Sequence, residues 1–148
     1  MSIKEIGVMA KNTAEMENEI LQADNIYDVI SANKDSFCTG NISGYIKDIL
    51  NKKGIKASEA VRDSGLDRCY GHQIISGTKI PSRNKLIALS FGMGLSLDET
   101  NELLKISCNR PLYARDERDA VIIFALANGK NIDNANELLY DKGYKIID

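Results

Sequence analysis

Residues 57–83 read ASEAVRDSGLDRCYGHQIISGTKIPSR, and the reading of this stretch decides the fold. The segment from Ala57 to Ser64 suits a short helix that stops at Gly65, because glycine adopts the left-handed conformation a tight helix-to-helix turn needs. Leu66 is placed to plug the angle, and Asp67 to cap a second helix over residues 68–76. Gly77 ends that helix, and Thr78-Lys79-Ile80-Pro81-Ser82-Arg83 forms a basic loop in which Pro81 fixes one φ angle. Two short helices about a glycine-bearing turn make a helix-turn-helix pattern. Ala60, Leu66 and Ile74 fall where the two helices pack on each other, and Ser64 is small enough to lie inside.

The flanking sequence is helical in both directions. Upstream, Asn41-Ile42-Ser43 starts the main domain. Ser43 is expected to cap a helix through Tyr45, Ile46, Ile49 and Leu50, with Gly54 as its stop. Lys52 and Lys53 sit at the end favoured by the helix dipole. Further upstream, residues 13–23 suit a helix capped by Thr13 with an incomplete capping box, since Met16 stands three residues on. Residues 24–37 suit a second short amphipathic helix through Ile26, Tyr27, Val29 and Ile30. Downstream, Ser82 opens a helix whose buried side is Leu86, Ile87, Leu89 and Phe91, stopped by Gly94. A further helix runs from Glu99 towards Ile106.

The chain then repeats itself. Residues 83–104, RNKLIALSFGMGLSLDETNELL, align without a gap on residues 118–139, RDAVIIFALANGKNIDNANELL. Arg83/Arg118, Ile87/Ile122, Gly94/Gly129, Asp98/Asp133 and the two AsnGluLeuLeu tetrapeptides stay in register. Two copies of one helical hairpin follow each other, too few for a solenoid, so the second is expected to dock on the first. Leu103, Leu104, Leu138 and Leu139 read as core, with a dimer seam as the alternative. Asn101 and Asn136 read as residues that cap or bridge helices. Residues 108–116, broken by Pro111, join the hairpins, and residues 142–148 read as a short extended tail.

Composition bounds the function. The chain has 148 residues, 43% of them hydrophobic, enough to bury a core without staples. Cys38, Cys69 and Cys108 are odd in number and widely spaced, so no disulfide framework or zinc site follows. Reduced thiols and the absence of a signal peptide or an apolar run of about 18 residues point to a cytoplasmic protein with no membrane span. The net charge is −2, but it is unevenly spread. Residues 1–44 carry 3 Lys/Arg against 7 Asp/Glu, residues 45–85 carry 9 against 4, and residues 86–148 carry 7 against 10. A basic island between acidic flanks matters more to a phosphate backbone than the sum over the chain.

Catalysis finds no foothold. His72 is the only histidine, and no phosphate-loop, dinucleotide-binding or zinc-protease motif occurs. No catalytic residue, metal or cofactor is expected. A nucleic-acid reading fits the residue types better. A helix entering the major groove needs polar side chains that reach base edges from its first turns. Asp67, Arg68, Cys69, His72 and Gln73 are the candidates there. Arg68 suits a guanine edge or a phosphate, and Gln73 suits adenine. Lys56, Ser58, Lys79 and Arg83 are the candidates around it, the cations placed to grip phosphates, which supply affinity without sequence choice.

These residues carry a resemblance. Residues 45–104 resemble the helix-turn-helix domain of phage repressors and Cro proteins, the xenobiotic-response-element (XRE) family. The matching residues are Gly65-Leu66-Asp67-Arg68 at the turn, Ile74, Ser76–Ser82 in the loop and residues 85–99 beyond it. The resemblance implies an all-α, five-helix lambda-repressor-like domain that binds double-stranded operator DNA as a homodimer and regulates transcription. Residues 1–40 would then be an acidic helical arm, 41–107 the DNA-binding domain and 108–148 a C-terminal hairpin. Three positions depart from the family pattern. Ala57 or Ser58 stands where a glutamine is common, Val61 where a small residue is typical, and Gly71 where a β-branched residue is. Its neighbour Tyr70 is large enough to fill the space at Gly71, or to turn outward as part of a contact surface. The alternative reading is a protein-interaction adaptor, an antitoxin or a phage-defence regulator on the same scaffold, gripping a protein partner through the arm or the hairpin.

Overall fold

The structure is a computed structural model, and it describes residues 11–37 and 42–148. Asn41 and Cys38 lie outside the described residues. Among those described, every regular element is helical. The chain divides into two compact units with the boundary between residues 39 and 40. Residues 108–148 share a unit with the helix-turn-helix stretch.

The first unit holds α1 (Thr13–Gln22), α2 (Ile26–Ala32) and a 3₁₀ turn (Lys34–Ser36). Asn12 caps α1, where Thr13 was expected to. Its side chain accepts from the Glu15 amide at 2.8 Å, and Glu15 reaches back to the Asn12 amide, so the capping box is complete one residue earlier than the sequence reading placed it. Asn25 caps α2. Met16 and Val29 are buried, and Asn33 joins the helices by donating to the Glu19 carboxylate and the Val29 carbonyl. Ile20, Leu21, Ile26, Tyr27 and Ile30 face outward, so the expected apolar stripes are core only at Met16 and Val29.

The second unit has seven helices among the described residues: α3 (Ser43–Lys53), α4 (Ala57–Ser64), α5 (Arg68–Ser76), α6 (Arg83–Gly92), α7 (Leu97–Ile106), α8 (Glu117–Ala127) and α9 (Ile132–Asp141). Gly54, Gly65 and Gly77 adopt positive φ at the three helix ends where the sequence reading put stops. Ser43 does not cap α3. It is the first helical residue, and its hydroxyl donates to the Ile75 carbonyl at 2.6 Å, tying α3 to the end of α5.

The core is organised on α6. Leu86 to Phe91 are buried without interruption, so this helix is covered on every side. α4 lies along it. A Cβ at Gly92 would meet the Ala60 carbonyl oxygen at 2.1 Å and the Ser64 amide at 2.8 Å. Only glycine lets the two backbones come this close. Ala60, Ser64 and Ile74 are buried, as the sequence spacing predicts, and Leu66, expected to pack with them, is half-buried.

The two unorthodox residues of the helix pair compensate each other. A Cβ at Gly71 would stand 2.5 Å from Val61 Cγ1. The volume added in α4 is the volume removed in α5, so Val61 fills the space beside Gly71 and Tyr70 does not. Tyr70 instead sits half-exposed with the Lys85 ammonium 5.6 Å from its ring centroid, a cation–π arrangement.

The repeat is physical as well as textual. Arg83 Nε donates to the Arg110 carbonyl, and Arg118 Nε to the Lys145 carbonyl, 35 residues on. Asn101 accepts from the Leu112 amide, and Asn136 from the Ile147 amide, again 35 residues on. In each hairpin an arginine and an asparagine pin the segment that leaves it, and Leu112 and Ile147 are buried as a result. Leu103, Leu104 and Leu139 are buried within the chain itself, which assigns them to core and leaves them no part in a dimer seam. Leu138 is half-buried. α9 packs on α6, and Ile132 at its start touches the space beside Gly65. The second hairpin thus buttresses the turn between α4 and α5.

Candidate nucleic-acid interface

α5 is amphipathic in the sense a groove-reading helix requires. Asp67 caps it, accepting from the Tyr70 amide at 3.0 Å. Gly71, Ile74 and Ile75 are buried against the unit. Arg68, Cys69, His72, Gln73 and Ser76 fall on the opposite side at spacings of 1, 4, 5 and 8, which is one helical face. Arg68, Cys69 and Ser76 are exposed, and His72 and Gln73 are half-exposed. Nine residues give this helix a length of about 13 Å.

The loop after α5 is held to the helix. The Gln73 carbonyl accepts from the Thr78 amide at 2.9 Å and the Lys79 amide at 3.2 Å. The Ser76 and Thr78 hydroxyls pair at 3.0 Å. Pro81 is buried, whereas Lys79 and Ile80 point into solvent. The loop therefore presents a cation from a fixed backbone next to the end of the polar face.

The other candidates divide. Lys56 and Ser58 are exposed at the start of α4, about 10 Å along the helix axis from the turn. Lys52 and Lys56, like Arg68 and Lys79, make no ion pair among the described residues. Lys53 does, with Glu99 at 3.2 Å. Burial pushes the Glu99 carboxyl up, but the Ser96 amide and Lys53 outweigh it and hold the group below the usual range. Arg62 pairs with the neighbouring Asp63 at 3.0 Å, an exposed contact worth little.

Arg83 stands apart from the set the sequence reading put it in. Its guanidinium forks onto the Asp119 carboxylate at 2.8 and 3.2 Å and donates to the Arg110 and Pro111 carbonyls. Asp119 is only 1% exposed. Burial pushes its carboxyl up, and the Arg83 fork, the Tyr113 amide and Arg110 more than reverse this, holding it below the usual carboxylate range. Arg83 is a joint between the two hairpins: four of its five N–H donors are engaged there and Asp119 balances its charge, which leaves one Nη1 N–H for any other acceptor. Lys85, outside the set of sequence candidates, lies two residues further on, beside Tyr70. Its signal was present as the last cation of the basic island.

Cys69 and Cys108 are free and exposed. Among the described residues no cluster of His, Cys, Asp or Glu is arranged to hold a metal ion, and no helix is long and apolar enough to cross a membrane. No protein-family model, curated protein or solved structure matches the chain.

Proposed function

We propose that this chain is a sequence-specific DNA-binding regulator in which α3–α7 act as a five-helix lambda-repressor-like domain and α5 enters the major groove. The observation that carries the reading is the polarity of α5: one buried side of Gly71, Ile74 and Ile75, and one outward side of Arg68, Cys69, His72, Gln73 and Ser76. Arg68 and Gln73 have the donor and acceptor patterns that suit guanine and adenine edges. Lys79 beside that face, Lys52 at the end of α3 and Lys56 before α4 are the phosphate grips, with Lys85 beside Tyr70. The function is binding, with no catalytic step.

Selection of bound sites from a random duplex pool at two salt concentrations tests this. The proposal expects an enriched motif and an affinity that falls with salt, with a log–log slope of about −0.9 per phosphate held, or roughly −3 to −4 per chain for four cations. A pool with no enriched sequence at either concentration removes the sequence-specific reading.

A second reading, a protein-interaction adaptor, is favoured by one observation in the first unit. Leu21 and Tyr27 are about three-quarters exposed, at 76% and 75%, in a segment that is also acidic. Retention of a protein partner after Arg68→Ala and Lys79→Ala, with no salt-dependent binding of DNA by the parent chain, would select it.

A further inference from the structure

Helix α8 is apolar in a way its position does not use. Residues 120–127 read AVIIFALA, a composition expected of a helix covered on every side. The inner side is packed, with Ile122, Ala125 and Leu126 buried. The outer side is not: Ala120, Val121 and Ile123 are half-buried, Ala127 is exposed and Phe124 is 53% exposed.

The internal repeat identifies what is missing. Val121 corresponds to Leu86 of α6, Ile123 to Ala88, Phe124 to Leu89 and Ala127 to Gly92. In α6 those first three residues are at most 1% exposed. α4 packs on α6 and comes closest at Gly92, on the face that Lys85 and Leu89 share with it at i, i+4 and i+7. Lys85, the cation of that face in α6, is replaced by Ala120 in α8. The second copy has kept the side chains of a covered helix, and no helix of the second unit covers it as α4 covers α6.

We propose that this face is a homodimer seam, closed by α8 of a second copy running antiparallel about a two-fold axis between Ile123 and Phe124. Glu117, Ala120, Phe124 and Ala127 lie on one helical face at i, i+3, i+7 and i+10, and an isologous contact requires such a face to be its own complement. An axis at that point sets Ala120 against Ala127 of the second copy, so a small residue meets a small residue on either side of the aromatic centre. It also sets Glu117 towards Lys130, which stands just past the end of α8, and does so twice. A parallel pairing would set Glu117 on Glu117. Lys130 makes no ion pair among the described residues, and the Glu117 carboxylate keeps its contact with the Tyr144 hydroxyl. The seam does not rest on the DNA-binding reading.

Sedimentation velocity on the full chain across the micromolar range tests the seam. The parent chain is expected to dimerise. Phe124→Asp is expected to weaken the dimer at least about tenfold, as truncation of a central aromatic anchor does, with an unchanged far-UV spectrum because the side chain is already half in solvent. Glu117→Lys and Lys130→Glu are each expected to weaken association, and the double exchange to restore it. A parent chain that is monomeric at every concentration overturns the proposal and leaves the face to another occupant. A dimer indifferent to Phe124→Asp also overturns it, as does a double exchange no stronger than the singles. If Phe124→Asp fails to fold, the charge exchange decides alone.

Discussion

Replacing Gly71 by alanine tests whether α4 and α5 pack as described. The new methyl would lie 2.5 Å from Val61 Cγ1 and 2.9 Å from Cγ2, well inside the roughly 3.5–4.0 Å of a comfortable carbon contact. Val61 is 2% exposed and stiff at χ1, so it cannot swing away and the helices must part. One methyl forced into a packed site costs about 1–3 kcal/mol. The better helix propensity of alanine returns up to about 1 kcal/mol. Gly71→Ala is therefore expected to destabilise by about 1–2 kcal/mol. Val61→Ala alone removes two methyls and is expected to cost about 1.6 kcal/mol at roughly 0.8 per buried carbon. In the double variant the clash is gone and the new methyl refills part of the space, so it should lie within about 1 kcal/mol of the parent chain. The sum of the single effects is about 3 kcal/mol, which makes the coupling about 2 kcal/mol. Urea unfolding of the four proteins by far-UV circular dichroism measures this cycle. Additivity within about 0.5 kcal/mol would refute the claim that Val61 and Gly71 share one space.

Four further outcomes follow from the same geometry. Gly92→Ala is expected to abolish or severely impair folding, a loss above about 4 kcal/mol, because its Cβ meets backbone atoms of α4 that cannot yield; a cooperative melt near the parent temperature would contradict the α4–α6 contact. Cys108 has a φ of 65°, and its repeat counterpart Gly143 a φ of 77°, so Cys108→Gly is expected to stabilise by up to about 1 kcal/mol by relieving left-handed strain, read as a rise in the urea midpoint. Asp119→Ala leaves the Arg83 guanidinium without its carboxylate and is expected to cost about 3–5 kcal/mol by the same assay. The Asp119 carboxyl titrates below its ordinary 3.8 in the folded chain, so its contribution is complete above that value and is lost as pH falls through the lower folded one; Asp119→Asn should show a shallower loss of stability across that acid window than the parent.

Much of the fold is legible locally. Glycine stops at 54, 65 and 77 need a backbone conformation that few other residues tolerate, so they can be placed without a structure. The Asp67 cap and the burial of Leu86, Ile87, Leu89 and Phe91 follow from equally short-range patterns, whereas the burial of Ala88 and Ser90 on the other side of α6 does not. The caps expected at Thr13 and Ser43 fall one residue earlier, because Asn12 supplies the capping oxygen of α1 and the Ser43 hydroxyl is drawn to the distant Ile75 carbonyl. The Val61 and Gly71 departures look like two defects when taken singly. They are one exchange of volume across a helix pair, which no window along a single helix reveals.

Arg83 shows the same limit at the candidate site. Its charge and its place after the loop suit a phosphate grip, while its partner Asp119 lies 36 residues away in the next hairpin. The repeat held the missing signal, since Arg118 occupies the same position in a copy with no helix-turn-helix before it. An arginine present in both copies belongs to what the copies share, which is the pinning of the exit segment. The side chains of α5 carry no such duplicate.

The most direct test of the base-reading role of α5 is fluorescence anisotropy on a selected duplex and its scrambled control, with the parent chain, Gln73→Ala and Lys79→Ala. Gln73→Ala should lose about 1–3 kcal/mol of discrimination at one base pair. Lys79→Ala should weaken both duplexes alike and reduce the salt slope by about 1. Unchanged discrimination in Gln73→Ala, together with equal binding of selected and scrambled duplexes by the parent chain, would contradict a base-reading α5.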